Sequence, residues 1–64
     1  MQDENATYTR HGYKNRRQYL ESLADDNGVS LEIVLSLSEL LGPSEDFDGL
    51  VNAVQDAASM GFFG

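Results

Sequence analysis

The sequence predicts an all-α fold, a small three-helix bundle with a flexible N-terminal arm. Three segments carry apolar residues at helical spacing, and each follows a residue that is typical of helix N-caps. No segment alternates apolar and polar residues as a half-buried strand does. With 64 residues, the chain forms one domain at most. We expect residues 1–12 to form the arm, residues 13–60 the three-helix domain and residues 61–64 an apolar C-terminal tail.

The first predicted helix begins at Asn15 and ends before Gly28. Residues 1–12, which precede it, are mostly polar and show no periodicity. Asn15 is a favourable N-cap, Gln18 completes a pair that resembles a capping box, and Asn27-Gly28 is typical of a left-handed helix end. The apolar residues of this helix fall on one face: Tyr19, Leu20, Leu23 and Ala24.

The second predicted helix extends from its N-cap Ser30 to Gly42-Pro43. Its seven apolar side chains cover about 220° of its circumference. The remaining polar strip consists of Glu32, Ser36 and Glu39. We therefore expect this helix to be the central element, covered by the other two helices or by a partner.

The third predicted helix begins at the N-cap Ser44 and is followed by the tail. Acidic side chains in the first turn favour a helix N-terminus because they interact well with the helix dipole. The apolar face repeats at helical spacing: Phe47, Leu50, Val51, Val54 and Ala58. Phe62 and Phe63 in the tail either dock on the bundle or are displayed to a partner or to a second copy of the chain.

The charges of the chain are strongly segregated. All the basic side chains lie between residues 10 and 17: Arg10, Lys14, Arg16 and Arg17. Residues 18–64 carry nine carboxylates and no Lys or Arg. Such an acidic body repels nucleic acid and anionic membranes. The basic segment either touches phosphate or, for Arg16 and Arg17, neutralises carboxylates of the bundle, as in a pair with Glu21 four residues away.

Several classes of protein do not fit this composition. The chain has no cysteine, its longest apolar run is three residues, and its first residues lack the pattern of a signal peptide. We expect a cytoplasmic protein without a membrane partner. The single histidine, His11, lies in the polar arm, and no nucleophile has a neighbouring base in the sequence. We expect no enzymatic activity and no cofactor.

Residues 44–55 resemble the calcium loop of EF-hand proteins. Asp46, Asp48 and Gly49 match ligand and turn positions of that loop. However, Ser44 and Gln55 stand where the family has Asp and a bidentate Glu, which calcium needs for charge and coordination number. We expect a helix start here and no metal site.

Residues 23–42 resemble the helix-turn-helix motif of DNA-binding regulators, with Gly28 at the turn. The resemblance implies a DNA-binding corner assisted by the basic segment. The positions that would face DNA are Ser30, Leu31, Glu32, Ile33, Leu35 and Ser36. Leu, Ile and Glu supply no donors to bases or phosphates. We therefore expect a corner of this geometry without nucleic acid as a partner.

Residues 13–57, with the stretches YLESLADDNGVSLEIV and LLGPSEDFDGLV, are similar to short acidic proteins encoded on bacterial phages and mobile elements. This resemblance implies a protein that occupies a host machine, for instance as an inhibitor of a nuclease or of a CRISPR system. An acidic body is suited to this role because it opposes a basic nucleic-acid channel.

The combined interpretation is a non-enzymatic interaction protein that binds a protein partner and regulates or inhibits it. The residues expected to contact the partner are Glu32, Ile33, Leu35, Glu39, Glu45, Asp46, Asp48, Phe62 and Phe63. Two alternatives stay open. One is a small helix-turn-helix regulator that uses Arg10, Lys14, Arg16 and Arg17, and the other is an obligate helical homodimer that shares its second helix.

Overall fold

A computed structural model describes residues 6–61, which form four α-helices and one 3-10 helix. The α-helices are α1 (Ala6–Arg10), α2 (Arg16–Asn27), α3 (Leu31–Leu41) and α4 (Gly49–Ser59), and the 3-10 helix spans Pro43–Glu45. Helices α2, α3 and α4 pack against one another as a three-helix bundle. This confirms the predicted all-α fold.

Helix α2 has the predicted boundaries. The Asn15 side chain accepts a hydrogen bond from the Gln18 backbone N–H at 2.9 Å. The Gln18 side chain in turn accepts from the Lys14 backbone N–H at 2.8 Å, one residue before the position used in a capping box. Gly28 ends the helix at φ +67°, a left-handed conformation that glycine adopts without steric cost.

Helix α3 also has the predicted boundaries, but the bundle covers it less completely than expected. The Ser30 hydroxyl accepts from the Ile33 backbone N–H, and Gly42 follows the last turn. Only Val34 and Ser38 of this helix are buried. Leu31, Ile33, Leu35 and Leu37 are half-buried, and the last two leucines of the helix are exposed, Leu40 by 81%.

Helix α4 begins later than the sequence predicts. Ser44 lies in the 3-10 helix rather than at an N-cap, and α4 starts at Gly49. Asp48 occupies the N-cap position but makes no side-chain cap. The Glu45 carboxylate supplies the missing acceptor, because it accepts from the Gly49 backbone N–H at 3.3 Å.

The prediction of a flexible arm over residues 1–12 is wrong for residues 6–12, the part of it that the structure describes. Residues 6–10 form α1, and Tyr8 is only 6% exposed. The Tyr8 carbonyl accepts from the Tyr13 backbone N–H at 2.9 Å, which closes the turn that follows α1. Residues 1–5 and the predicted tail residues Phe62 and Phe63 lie outside the described range.

The core combines apolar residues from every α-helix. Its buried members are Tyr8, Tyr19, Leu20, Leu23, Ala24, Val29, Val34, Leu50 and Val54. Two buried polar residues, Ser38 and Asp46, lie beside this cluster. Within residues 6–61, no helix has the length and apolar character needed to cross a membrane.

Candidate functional site

A groove of about 620 Å³ lies between α3 and α4. Its lining consists of four residues of α3, three residues of α4 and the residue that follows α4: Glu32, Ile33, Ser36, Leu37, Ala53, Asp56, Ala57 and Met60. Its lining is mostly apolar, with polar side chains from both helices. A groove of this kind can receive an apolar ridge of another molecule.

The spacing of residues along the two helices explains the shape of the groove. Residues four apart share a helix face, so Ile33 and Leu37 of α3 stand one turn apart. Ala53 and Ala57 face them from α4 at the same spacing, and their short side chains leave space between the helices. Met60, which is 73% exposed, lies at the C-terminal end of that wall.

The rim of the groove is acidic. Glu32 contributes one carboxylate from α3, and Asp56 contributes one from α4. The ion pairs found within residues 6–61 involve other carboxylates. Because no Lys or Arg follows Arg17 in the sequence, neither α3 nor α4 carries a cation that could neutralise the rim.

Two of the predicted contact residues of α3 belong to the groove, and two do not. Glu32 and Ile33 line it together. Glu39 is exposed on the same helix but is not part of the lining, and Leu35 is half-buried and packs against the core.

The predicted contact residues between α3 and α4 have different environments. Asp48 is exposed, whereas Glu45 is half-buried and accepts a hydrogen bond from the first residue of α4. The prediction that Asp46 belongs to a partner-binding surface is wrong, because Asp46 is fully buried.

Asp46 is buried because its side chain binds the basic and aromatic residues of the N-terminal part. Arg16 donates to its two carboxylate oxygens, from Nε at 2.6 Å and from Nη2 at 2.9 Å. The Tyr8 hydroxyl donates to the carboxylate at 2.5 Å, and the Tyr19 hydroxyl donates to the Asp46 backbone carbonyl at 2.5 Å. A forked Arg–carboxylate pair is a strong, geometrically specific interaction. The ion pair and the Tyr19 hydrogen bond hold the segment before α4 against α2, and the Tyr8 hydrogen bond holds it against α1.

This network changes the acid–base properties of its members. Burial, followed by the hydrogen bond to Asp46, raises the pKa of Tyr8 from 10.0 to about 12. Burial and the nearby Asp46 charge raise the pKa of Tyr19 from 10.0 to about 12. The hydrogen bond to Asp46 raises the pKa of the Arg16 guanidinium. These groups therefore keep their protons at neutral pH and act as structural donors.

Two of the four basic side chains form ion pairs within the protein. Arg16 pairs with Asp46, and Arg17 Nε lies 3.2 Å from the Glu21 carboxylate, which confirms the expected neutralisation of bundle carboxylates. Arg10 is exposed and donates to the carbonyl of Ala6. Lys14 is exposed.

Sequence reasoning missed six residues of the groove: Ser36, Leu37, Ala53, Asp56, Ala57 and Met60. The spacing of residues 53, 57 and 60 was a usable signal, since it places them on one face of α4. For metal binding, the part of the chain that the structure describes contains no group of three suitable side chains.

Comparisons with models of known protein families, with curated proteins and with solved structures gave no match.

Proposed function

We propose that this chain is a small acidic, non-enzymatic interaction protein that binds a protein partner and regulates or inhibits it. The observation that supports the proposal is the α3–α4 groove, in which an apolar lining is combined with carboxylates from both walls. Exposed apolar surface with a polar rim is characteristic of protein-binding sites. Glu32 and Ile33 are the sequence-predicted residues that belong to this surface.

The charge distribution favours a protein partner over nucleic acid. The groove carries Glu32 and Asp56, which would repel phosphates. Two of the basic side chains, Arg16 and Arg17, are already paired with carboxylates of the same chain. A protein partner that presents cations next to apolar side chains would match the groove in both respects.

A more specific version of the proposal is that the partner belongs to a cytoplasmic nucleic-acid-handling system of the host, such as a nuclease or a CRISPR system. Its support is the uninterrupted acidity of residues 18–64 together with the resemblance of residues 13–57 to small acidic phage proteins. Carboxylates on a rigid body compete with phosphates for a basic channel, and this competition would inhibit the partner.

An affinity capture from cells of the source organism tests the proposal. The wild-type chain is compared with Ile33→Asp, which places a charge in the groove, and with Leu40→Asp. The second variant is a matched control, since it makes a similar change on the same helix outside the groove lining. We expect wild type and Leu40→Asp to retain one partner and Ile33→Asp to lose at least about 90% of it, corresponding to about 1.4 kcal/mol or more of binding free energy.

Circular dichroism and thermal unfolding establish that both variants remain folded before the capture is compared. Equal recovery of the same proteins by all three chains would contradict the proposal, as would no enrichment above an unrelated acidic helical protein. If the affinity of the wild-type chain for the captured partner is unchanged at about 0.5 M salt, charge competition is contradicted as the mode of action.

A further inference from the structure

We infer that the α3–α4 groove receives one amphipathic, cationic α-helix of a partner protein. The inference rests on the proposed function and specifies the structure and the charge of the segment that is bound. It depends on three properties of the groove, namely its length, its apolar lining and the placement of its carboxylates.

The length of the groove suits about two turns of a bound helix. The lining spans residues 32–37 on one wall and residues 53–60 on the other, which corresponds to about 8 Å and about 11 Å at a rise of about 1.5 Å per residue. A helix laid between the two walls contacts both through one stripe of side chains. The stripe on the partner would therefore contain apolar residues at positions i, i+3 or i+4, and i+7.

The lining accommodates such a stripe. Ile33 and Leu37 form an apolar wall on α3, and Ala53 and Ala57 form a low wall on α4. Alanines four residues apart let another helix approach closely, because no long side chain separates the two backbones. Leucine or isoleucine side chains of the partner would fill the space above these alanines.

The carboxylates determine the charge of the partner helix. Glu32 stands on one wall and Asp56 on the other. A bound helix would pass between them, so the residues that flank its apolar stripe would face a carboxylate on either side. Lys or Arg at those flanking positions forms ion pairs, whereas Asp or Glu meets like charge. The partner helix therefore carries at least one Lys or Arg on each edge of its apolar stripe.

The same charges argue against a second copy of the chain as the occupant. A two-fold axis along the groove would bring Glu32 and Asp56 of one copy against Glu32 and Asp56 of the other. No Lys or Arg on α3 or α4 would offset that repulsion. A cationic helix from a different protein meets no such penalty.

A peptide titration followed by NMR tests the inference. The probe is a 16-residue helical peptide with leucine at each heptad a and d position and lysine at each e and g position. One comparison peptide replaces every lysine by glutamate, and another has the lysine peptide's composition in a scrambled order. The full 15N-labelled chain is titrated with each peptide at about 0.05 M salt.

We expect the lysine peptide to shift the amide resonances of residues 32–37 and 53–60 most strongly. The scrambled peptide should bind at least about ten-fold more weakly, and the glutamate peptide should produce no shift. Shifts spread evenly over the acidic surface would overturn the inference. Equal affinities of the lysine and scrambled peptides, or no shift at millimolar lysine peptide, would also overturn it.

A pair of double variants tests the role of the rim charges. Glu32→Gln/Asp56→Asn should weaken binding of the lysine peptide by about three- to ten-fold, within the range expected for two exposed ion pairs. Asp25→Asn/Asp26→Asn removes the same charge from exposed positions of α2 and should change the affinity less than two-fold. Equal effects of the two double variants would overturn the assignment of the rim.

Two further results separate this inference from the proposed function. A captured partner that depends on Ile33 but cross-links to the groove through a strand or an acidic segment would overturn the inference and leave the proposed function standing. Sedimentation that shows a dimer of the wild-type chain and a monomer of Ile33→Asp would identify a second copy as the occupant and would also overturn it.

Discussion

At the scale of single residues, the buried Asp46 side chain links the segment before α4 to α1 and α2. Burial of a carboxylate is costly unless donors replace the lost water. Asp46 receives three side-chain hydrogen bonds, two from Arg16 and one from Tyr8. The Arg16 side chain remains 30% exposed, so solvent reduces the strength of the pair below that of a fully buried one.

Asp46→Asn should destabilise the protein by about 2–4 kcal/mol, because the substitution leaves the partly buried Arg16 guanidinium without its counter-charge. This loss is comparable with the whole stability of a domain of this size. Urea denaturation measures the effect. Asp48→Asn, an equal chemical change at an exposed position two residues away, should cost less than about 0.5 kcal/mol. Equal midpoints for the two variants would contradict the structural role of Asp46.

The raised pKa values of Tyr8 and Tyr19 predict a loss of stability at alkaline pH. In the unfolded chain a tyrosine loses its proton near pH 10, whereas both buried side chains keep theirs until about pH 12. Between these values the unfolded state binds fewer protons than the folded state, so the free energy of unfolding decreases as the pH rises. This contribution is fully present below pH 10.

The absorbance of tyrosinate, followed as a function of pH, measures the deprotonation of these side chains. In the folded protein, Tyr8 and Tyr19 should titrate about two pH units later than in the urea-denatured chain. The Tyr8→Phe/Tyr19→Phe double variant should lose the delayed component. Identical titration curves for the folded and denatured wild-type chain would contradict the prediction.

At the scale of the helices, the N-cap side chains of α2 and α4 differ in how much they contribute to the free energy of unfolding. Asn15→Ala should cost about 1 kcal/mol, because the Asn15 side chain accepts from a backbone N–H of α2. Asp48→Ala should cost a few tenths of a kcal/mol, about the value of a carboxylate near a helix N-terminus, since Asp48 makes no capping hydrogen bond. Thermal unfolding compares the two variants. A larger loss for Asp48→Ala would be the opposite of what the structure predicts.

The boundaries of α2 and α3 could be predicted from the sequence, because the residues that cap these helices lie next to the helix ends. Helix α1 could not be predicted, because Tyr8 is held by Asp46, which lies 38 residues away. The late start of α4 has a related cause, since Asp46 turns into the core instead of joining the first turn of a helix.

The candidate site was predicted only in part. Ile33 was predicted as an apolar anchor at an exposed position of α3, and Glu32 was predicted as part of the acidic face of that helix. Asp56 and the alanines of α4 were missed, since a groove depends on how two helices pack and not on the pattern of either one. The distinction between Asp46 and its exposed acidic neighbours is not visible in the sequence, because it depends on the distant Arg16.

At the scale of the whole molecule, the formal net charge of −7 at pH 7 should make salt act in opposite directions on stability and on binding. Salt screens repulsion among the carboxylates of the folded chain, and it also screens attraction to a cationic partner. We expect the thermal midpoint to rise by a few degrees between about 0.01 M and 0.5 M sodium chloride, while the affinity for the lysine peptide falls.

The Asp25→Asn/Asp26→Asn double variant serves as the control for this effect. It removes two of the eleven carboxylates of the chain, and its midpoint should rise less with salt than that of wild type. A wild-type midpoint that falls with salt would show that favourable ion pairs, rather than repulsion, dominate the electrostatics of the fold.

The long separation between Asp46 and its partners has a consequence for synthesis of the protein on the ribosome. Arg16 and Asp46 are 30 residues apart in the chain, and the core residues Leu50 and Val54 come later still. A nascent chain that ends after α3 would contain the donors Tyr8, Arg16 and Tyr19 but would lack Asp46, which accepts their hydrogen bonds. Native packing can therefore be completed only after α4 has left the exit tunnel. Until then, the apolar side chains of α3 would be accessible to chaperones.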